Sequence, residues 1–159
     1  YGHFFVEHNR GHHVQVATPE DPASAKMGES VYAFAMREIP GAAKRGWELE
    51  RERLARKGLP FWHWRNDLLQ SYAITLAVAL ALVVWLGPLV IPFLIIHHYV
   101  GWSQLSFANY VEHYGLLRQK RESGRYEPCQ PKHSWNTNHI VSNLMLFHLQ
   151  RHSDHHANP

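Results

Sequence analysis

Cysteine is almost missing: Cys129 is the only one in 159 residues. A single thiol excludes an internal disulfide, a four-cysteine iron site and an iron–sulfur cluster held by this chain alone. A glycine-rich dinucleotide fingerprint is missing too. Any redox chemistry here therefore needs electrons from another protein. No signal-peptide pattern opens the chain, which begins at Tyr1 rather than Met and stops at Pro159 just behind a histidine cluster. Both ends read as cuts in a longer protein, and the length as one domain. The last absence is local: from Leu68 to Val111, 44 residues run without Asp, Glu, Lys or Arg.

A bilayer crossing takes about 20 apolar residues, so the uncharged stretch fits two crossings and is long for one. Gly87-Pro88 near its middle divides it, since glycine ends helices and proline starts them. The expected hairpin runs from Leu68 to Leu86 and from Pro88 to about Val111; a single tilted helix broken at Pro92 is the alternative. Basic residues flank both ends: Arg37, Lys44, Arg45, Arg51, Arg53, Arg56, Lys57 and Arg65 before, and Arg118, Lys120, Arg121, Arg125 and Lys132 after. This places both ends on the cytoplasmic side of the inner membrane, with an even number of crossings. It also assigns the net charge of +3 to a membrane surface and not to nucleic acid. Trp62, Trp64 and Tyr72 fit one interface.

The rest reads as helix and loop, an all-α chain. Residues 1–16 are the end of a helix, 17–30 a loop with Asp21-Pro22 and Ser24 as turn formers, and 31–57 helical. The charged half, 44–57, has a poor apolar stripe of Trp47, Leu49 and Leu54. It reads as a solvated or membrane-surface helix, with a docking helix for a redox partner as the sharper reading. Residues 118–138 are turn-rich and 139–152 helical, with Trp135 and Asn136 as candidate caps of the last helix.

Histidine is the excess. There are 14, against 13 Asp plus Glu. EHNRGHH holds His8, His12 and His13; HSDHH holds His152, His155 and His156. Residues i and i+4 share a helix face, which pairs His8 with His12 and His152 with His156. His13 and His155 face neighbouring directions. Between the groups lies His113 in NYVEHYGLL, where a Glu-His pair beside a membrane span is costly without partners. The hairpin returns it to the same side as the other two groups. Imidazole sets suit iron, copper, nickel or zinc, and seven rings are too many for one ordinary site, so two metals are expected. Glu7, Glu112 and Asp154 stand beside candidate ligands and could accept their second N–H. His3, His63, His97, His98, His133, His139 and His148 read as packing or interface residues.

EHNRGHH followed by VATPEDPASA, then NYVEHYGL, then LQRHSDHHANP, resembles the run of motifs in the bacterial integral-membrane alkane monooxygenases, relatives of the membrane fatty-acid desaturases. The resemblance covers nearly the whole chain. It implies the C-terminal catalytic part of such a domain and a cytoplasmic non-haem diiron site held by histidines. The implied ligands of the two Fe are His8, His12, His13, His113, His152, His155 and His156. It further implies terminal hydroxylation of medium-chain n-alkanes by O₂, with electrons from rubredoxin and its reductase. Membrane fatty-acid desaturases and xylene-type hydroxylases share the histidine spacing and are the alternative; a metal-binding or transport membrane protein is the alternative of another class. The family's earlier HExxxH-type box has no counterpart here, so further ligands are expected upstream of Tyr1.

Overall fold

The computed structural model describes residues 2–157. Tyr1, Asn158 and Pro159, which the sequence assigns to the first helix and the last motif, lie outside the described residues. The chain is helical, and among the described residues its only β-pairing is an isolated bridge between Lys120 and Tyr126. In order it forms α1 (Gly2–Glu7), a π-helical turn (His8–His12), α2 (His13–Gln15), α3 (Val31–Arg56), α4 (Asp67–Leu86), α5 (Val90–Glu112), a 3₁₀ turn (Pro131–His133), α6 (Ile140–Met145) and α7 (His152–Ala157).

α4 and α5 occupy the two stretches that the sequence reads as a membrane hairpin, separated at Gly87-Pro88. Asn66 starts α4, its side-chain oxygen accepting from Leu68 N and Leu69 N at 2.9 and 3.1 Å. Gly87 ends it at φ 82°, a left-handed conformation that suits glycine. Pro88 sits in the turn, two residues ahead of α5. Only α4 is long and apolar enough to cross a membrane among the described residues. α5 carries His97, His98, Ser103, Gln104 and Ser106 through its length. Both helices turn large apolar side chains outward, among them Val84, Trp85, Phe93 and Ile95.

The charged stretch 44–57, which α3 covers as far as Arg56, departs from the expected solvated or membrane-surface helix, with Gly46, Glu50 and Leu54 buried. Phe34, Glu38, Ala42, Gly46, Glu50 and Leu54 are buried, one at every fourth position. A step of four advances the face by about 40°, so this stripe winds round α3 and meets a different neighbour at each turn. Glu38 meets α5 through Ser106 and Asn109. Glu50 accepts from Arg10 Nη1 at 2.8 Å, from Arg53 Nε at 2.8 Å and from the backbone N–H of Asp67 at 2.6 Å. Burial opposes the charge on Glu50, but Arg53, the Asp67 N–H and Arg10 outweigh it and hold its carboxyl below the ordinary range. A scan for apolar residues misses this stripe because small and ion-paired residues make up half of it.

The expected helix over 139–152 is broken. α6 stops at Met145, and Phe147 and His148 take positive φ of 51° and 62°. Left-handed non-glycine residues carry a local cost. A hairpin-like closure accompanies it: Thr137 N donates to Gln150 O at 3.0 Å and His148 N to Asn143 O at 2.7 Å.

Glu50→Ala removes the acceptor shared by Arg10, Arg53 and the first turn of α4, leaving both guanidiniums with Asp67 alone as carboxylate partner. Arg10 is about one-third exposed and can turn to water, so the expected loss is about 3 kcal/mol, the low end for breaking a buried pair. A melting temperature in detergent unchanged from the unsubstituted protein would contradict this account of α3.

Candidate metal centre

Three separate segments bring the histidines together: the π turn with α2, the C-terminal end of α5, and α7. His12, His113, His152 and His156 form one buried group. His8, His13 and His155 form a second, more open one. Within each group, one nitrogen per ring lies within 4.8 Å of every other. In the first group His152 Nε2 is 3.1 Å from His113 Nε2 and 2.7 Å from His156 Nε2. In the second His8 Nε2 is 3.2 Å from His13 Nε2 and 3.5 Å from His155 Nε2. The groups adjoin, with the His13 and His156 ring centres 4.6 Å apart.

The division differs from the one that α-helical spacing predicts. His8 and His12 stack at 5.2 Å yet belong to different groups, and His8 joins His13 instead. The cause is the π turn over His8–His12, whose wider i→i+5 repeat brings His13 rather than His12 under His8. Gly11 lets this turn press against α3: a Cβ there would stand 2.7 Å from Arg45 Nε and 3.0 Å from Leu49 Cδ1. In α7 the ordinary repeat holds. His152 and His156 face the buried group, and His155 faces the open one.

Each segment is pinned close to its ligand candidates. His12 Nδ1 donates to Asp21 Oδ2 at 2.8 Å, and both side chains are fully buried. Asp21 also accepts from Arg45 Nη2 at 2.8 Å and from Ser24 Oγ at 2.6 Å. In the sequence Asp21 reads only as a turn former, and its place nine residues beyond His12 carries no signal. Glu7, expected to orient a ring, pairs with Arg45. Glu112 Oε2 lies 3.3 Å from His152 Nδ1, within ion-pair range but outside hydrogen-bond alignment. Asp154 has an exposed side chain.

The stretch 133–136 fastens α5 to α7. The His133 carbonyl accepts from His113 Nδ1 at 3.2 Å, Trp135 N donates to Glu112 O at 2.8 Å, and Asn136 Oδ1 accepts from Ser153 N at 2.9 Å. Asn136 thus caps α7, while Trp135 Nε1 donates to the Tyr114 carbonyl at 3.0 Å. His133 itself is buried and folds its loop through Glu127 and the Gln130 N–H.

Burial pushes the His8 and His152 rings down to about 3 and His13 to about 4, and it lowers His155 and His156 as well; the neighbouring His12 adds to each of these shifts. His12 goes the other way. Burial opposes its charge, but the Asp21 carboxylate outweighs burial and raises it. Neutral imidazole is the form that binds metal, so the five lowered rings are ready at neutral pH. The buried His12 Nε2 has no hydrogen-bond partner within the protein, while its Nδ1–H is committed to Asp21. A buried, all-imidazole donor set with one anchored tautomer fits a metal such as iron, copper, nickel or zinc.

The chain matches the fatty acid desaturase family over residues 1–159 and belongs to it. It is 60% identical to an alkane 1-monooxygenase of Ectopseudomonas oleovorans and 59% identical to alkane 1-monooxygenase 1 of Alcanivorax borkumensis, over its full length in both cases. It is 28% identical over 95% of its length to the hydroxylase component of a xylene/toluene monooxygenase of Pseudomonas putida. The chain spans about two fifths of the length of these relatives.

Because the Asp21 carboxylate raises His12 above the ordinary imidazole range, a metal binding there competes with a proton on Nε2. Loading the buried group is expected to release about one proton, and affinity should weaken about tenfold per pH unit as pH falls below the His12 pKa. Proton release measured in a weakly buffered metal titration checks this; release of several protons would show that the other rings are also charged. Asp21→Ala should weaken metal binding by roughly 10–100-fold, as for loss of an outer partner of a ligand histidine, read by chelator competition.

Proposed function

We propose that this chain is the histidine-rich catalytic part of a non-haem diiron monooxygenase of the inner membrane. It would hydroxylate the terminal methyl of medium-chain n-alkanes with O₂ and with electrons from rubredoxin. The observation that carries the reading is the division of seven histidines into adjoining groups of four and three. The identity to alkane 1-monooxygenases over the whole chain supports the substrate class.

His12, His113, His152 and His156 would hold one iron, and His8, His13 and His155 the other, with further ligands from outside this chain. Bound iron supplies the reductive activation of O₂. The protein's own part is ligation, orientation and exclusion of water. Asp21 and the His133 carbonyl fix the tautomers of His12 and His113. An alkane offers no hydrogen-bonding handle, so regioselectivity has to come from an apolar path that admits the chain end first. α4 and α5 would cross the bilayer as a hairpin, with the histidines on the cytoplasmic side beside the basic flanks.

Electron delivery needs a docking face, and the basic residues divide sharply in their freedom to serve. Arg45 is taken by Glu7, Asp21 and Gln15. Arg37 is taken by Glu29 and by the Pro22 and Ser24 carbonyls. Arg118 spans the Val14, Val16 and Glu127 carbonyls. Lys44, Lys120 and Arg121 are exposed. The expected docking set is therefore narrower than the sequence implies. Charge reversal at Lys44, Lys120 and Arg121 should slow turnover at limiting rubredoxin and flatten its salt dependence, since screening sets in within about 10 Å at 0.1 M. A rate indifferent to salt and to reversal would leave these residues with membrane topology alone.

The direct test is a product assay on the complete protein in membranes. Terminal 1-alkanol from n-octane is expected. A double bond introduced into an acyl chain would select a desaturase instead, and metal release without O₂ consumption would select a transporter.

A further inference from the structure

α5 has a feature that ligation does not use. Its buried residues are Ser106, Asn109 and Glu112, all polar, in a helix that is otherwise largely apolar. Their spacing of three puts them on one face, and the next residue along is His113 of the metal centre. At the far end of this stripe stands Glu38 of α3, 6% exposed. Ser106 Oγ lies 2.8 Å from Glu38 Oε2, a hydroxyl that can donate to a carboxylate or accept from a protonated carboxyl, and Asn109 Nδ2 approaches Glu38 Oε1 at 3.4 Å. Both partners are neutral. The adjacent Arg37 is committed to Glu29 and to backbone carbonyls. A cavity of about 330 Å³ opens beside Glu38, lined by His3, Phe4, Ile39, Trp102 and Ser106.

A carboxyl group buried with no ion-pair partner is costly when ionised and favours its protonated form; Asp21 and His12 act on Glu38 from further off, with opposite signs. Burial raises Glu38 above the ordinary carboxylate range, and the hydrogen bonds from Ser106 and Asn109 do not cancel this. A tether between α3 and α5 does not need such a group, since a glutamine would make the same two contacts.

We propose that Glu38 is a proton donor for the oxygen chemistry of the metal centre, passing its proton along the Ser106–Asn109 face of α5 toward His113. The proposal rests on the monooxygenase reading. In that reaction RH, O₂, two electrons and two protons give ROH and H₂O. The O–O bond breaks, one oxygen enters the C–H bond, and the other leaves as water carrying both protons. The electrons come singly from a one-electron iron protein. Glu38 supplies a proton to the departing oxygen, is left as carboxylate, and takes its next proton from solvent.

Glu38→Gln in the complete, iron-loaded protein separates this role from tethering. Turnover should fall on the order of 100-fold, the lower end for a positioned acid. The solvent deuterium isotope effect on turnover should rise, and more of the O₂ consumed should appear as peroxide. Glu38→Asp, which keeps the proton, should recover part of the rate. Wild-type turnover with an unchanged isotope effect in Glu38→Gln would overturn the proposal. Infrared spectroscopy supplies a readout without turnover: a protonated-carboxyl C=O stretch near neutral pH that Glu38→Gln removes. Should Glu38→Gln fail to hold iron, that band decides the matter, and its absence from the unsubstituted protein overturns the proposal. Should the unsubstituted protein make no alkanol, the monooxygenase reading fails, while the band still reports whether Glu38 keeps its proton.

Discussion

Asp21 accepts hydrogen bonds from His12, Arg45 and Ser24, and it does so with no exposed surface. The arrangement has a definite electrostatic logic. A buried carboxylate needs cationic partners, and it finds two: the His12 ring of the metal centre and the Arg45 guanidinium of α3. The His12 segment is thereby tied to the longest helix of the protein. Glu7 joins the same guanidinium, so α1 and the 17–30 loop are fixed on either side of one arginine. The π turn follows from this tie. Its register is set where Arg45 and Leu49 meet Gly11, and that register sends His12 to one group and His8 to the other.

Bringing seven imidazoles together is feasible because they are mostly uncharged. Their mutual burial lowers their basicity, and only His12, beside its carboxylate, keeps a proton readily. Charged rings would repel one another; neutral rings can pack at centre distances of 4.4–5.0 Å, as His113, His152 and His156 do. The second half of the frame is polar rather than apolar: a strip of backbone from His133 to Asn136 links the end of α5 to the start of α7. A chain that exposes so much apolar surface on α4 and α5 orders its site through hydrogen bonds and ion pairs.

The histidine clusters and the two helices divided at Gly87-Pro88 were legible in the sequence because both are local signals, a spacing and an uncharged run. Asn136 was expected to cap the helix over 139–152; it instead caps α7 from 17 residues away, a pairing no local signal announces. What escaped was register and long-range pairing. An i,i+4 rule joins His8 to His12, and nothing in HNRGHH announces a π turn. Asp21 sits in a Pro-rich loop whose residues look sufficient to explain it as a turn. Glu50 reads as a member of the solvated 44–57 segment and Glu38 carries no signal of its own, since a buried glutamate differs from an exposed one only through partners distant in sequence. The break at Leu146 depends on left-handed Phe147 and His148, which no residue preference would place there.

The central claim is that the two histidine groups hold separate metals. Iron content per chain, measured together with Mössbauer spectra of the complete protein, tests it through two variants. His156→Ala removes a ring from the buried group and His155→Ala a ring from the open one. The account predicts two irons in the unsubstituted protein, and in each variant the loss or weakening of one iron, with a different spectral component lost each time. A single iron in the unsubstituted protein, or the same component lost in both variants, would contradict it.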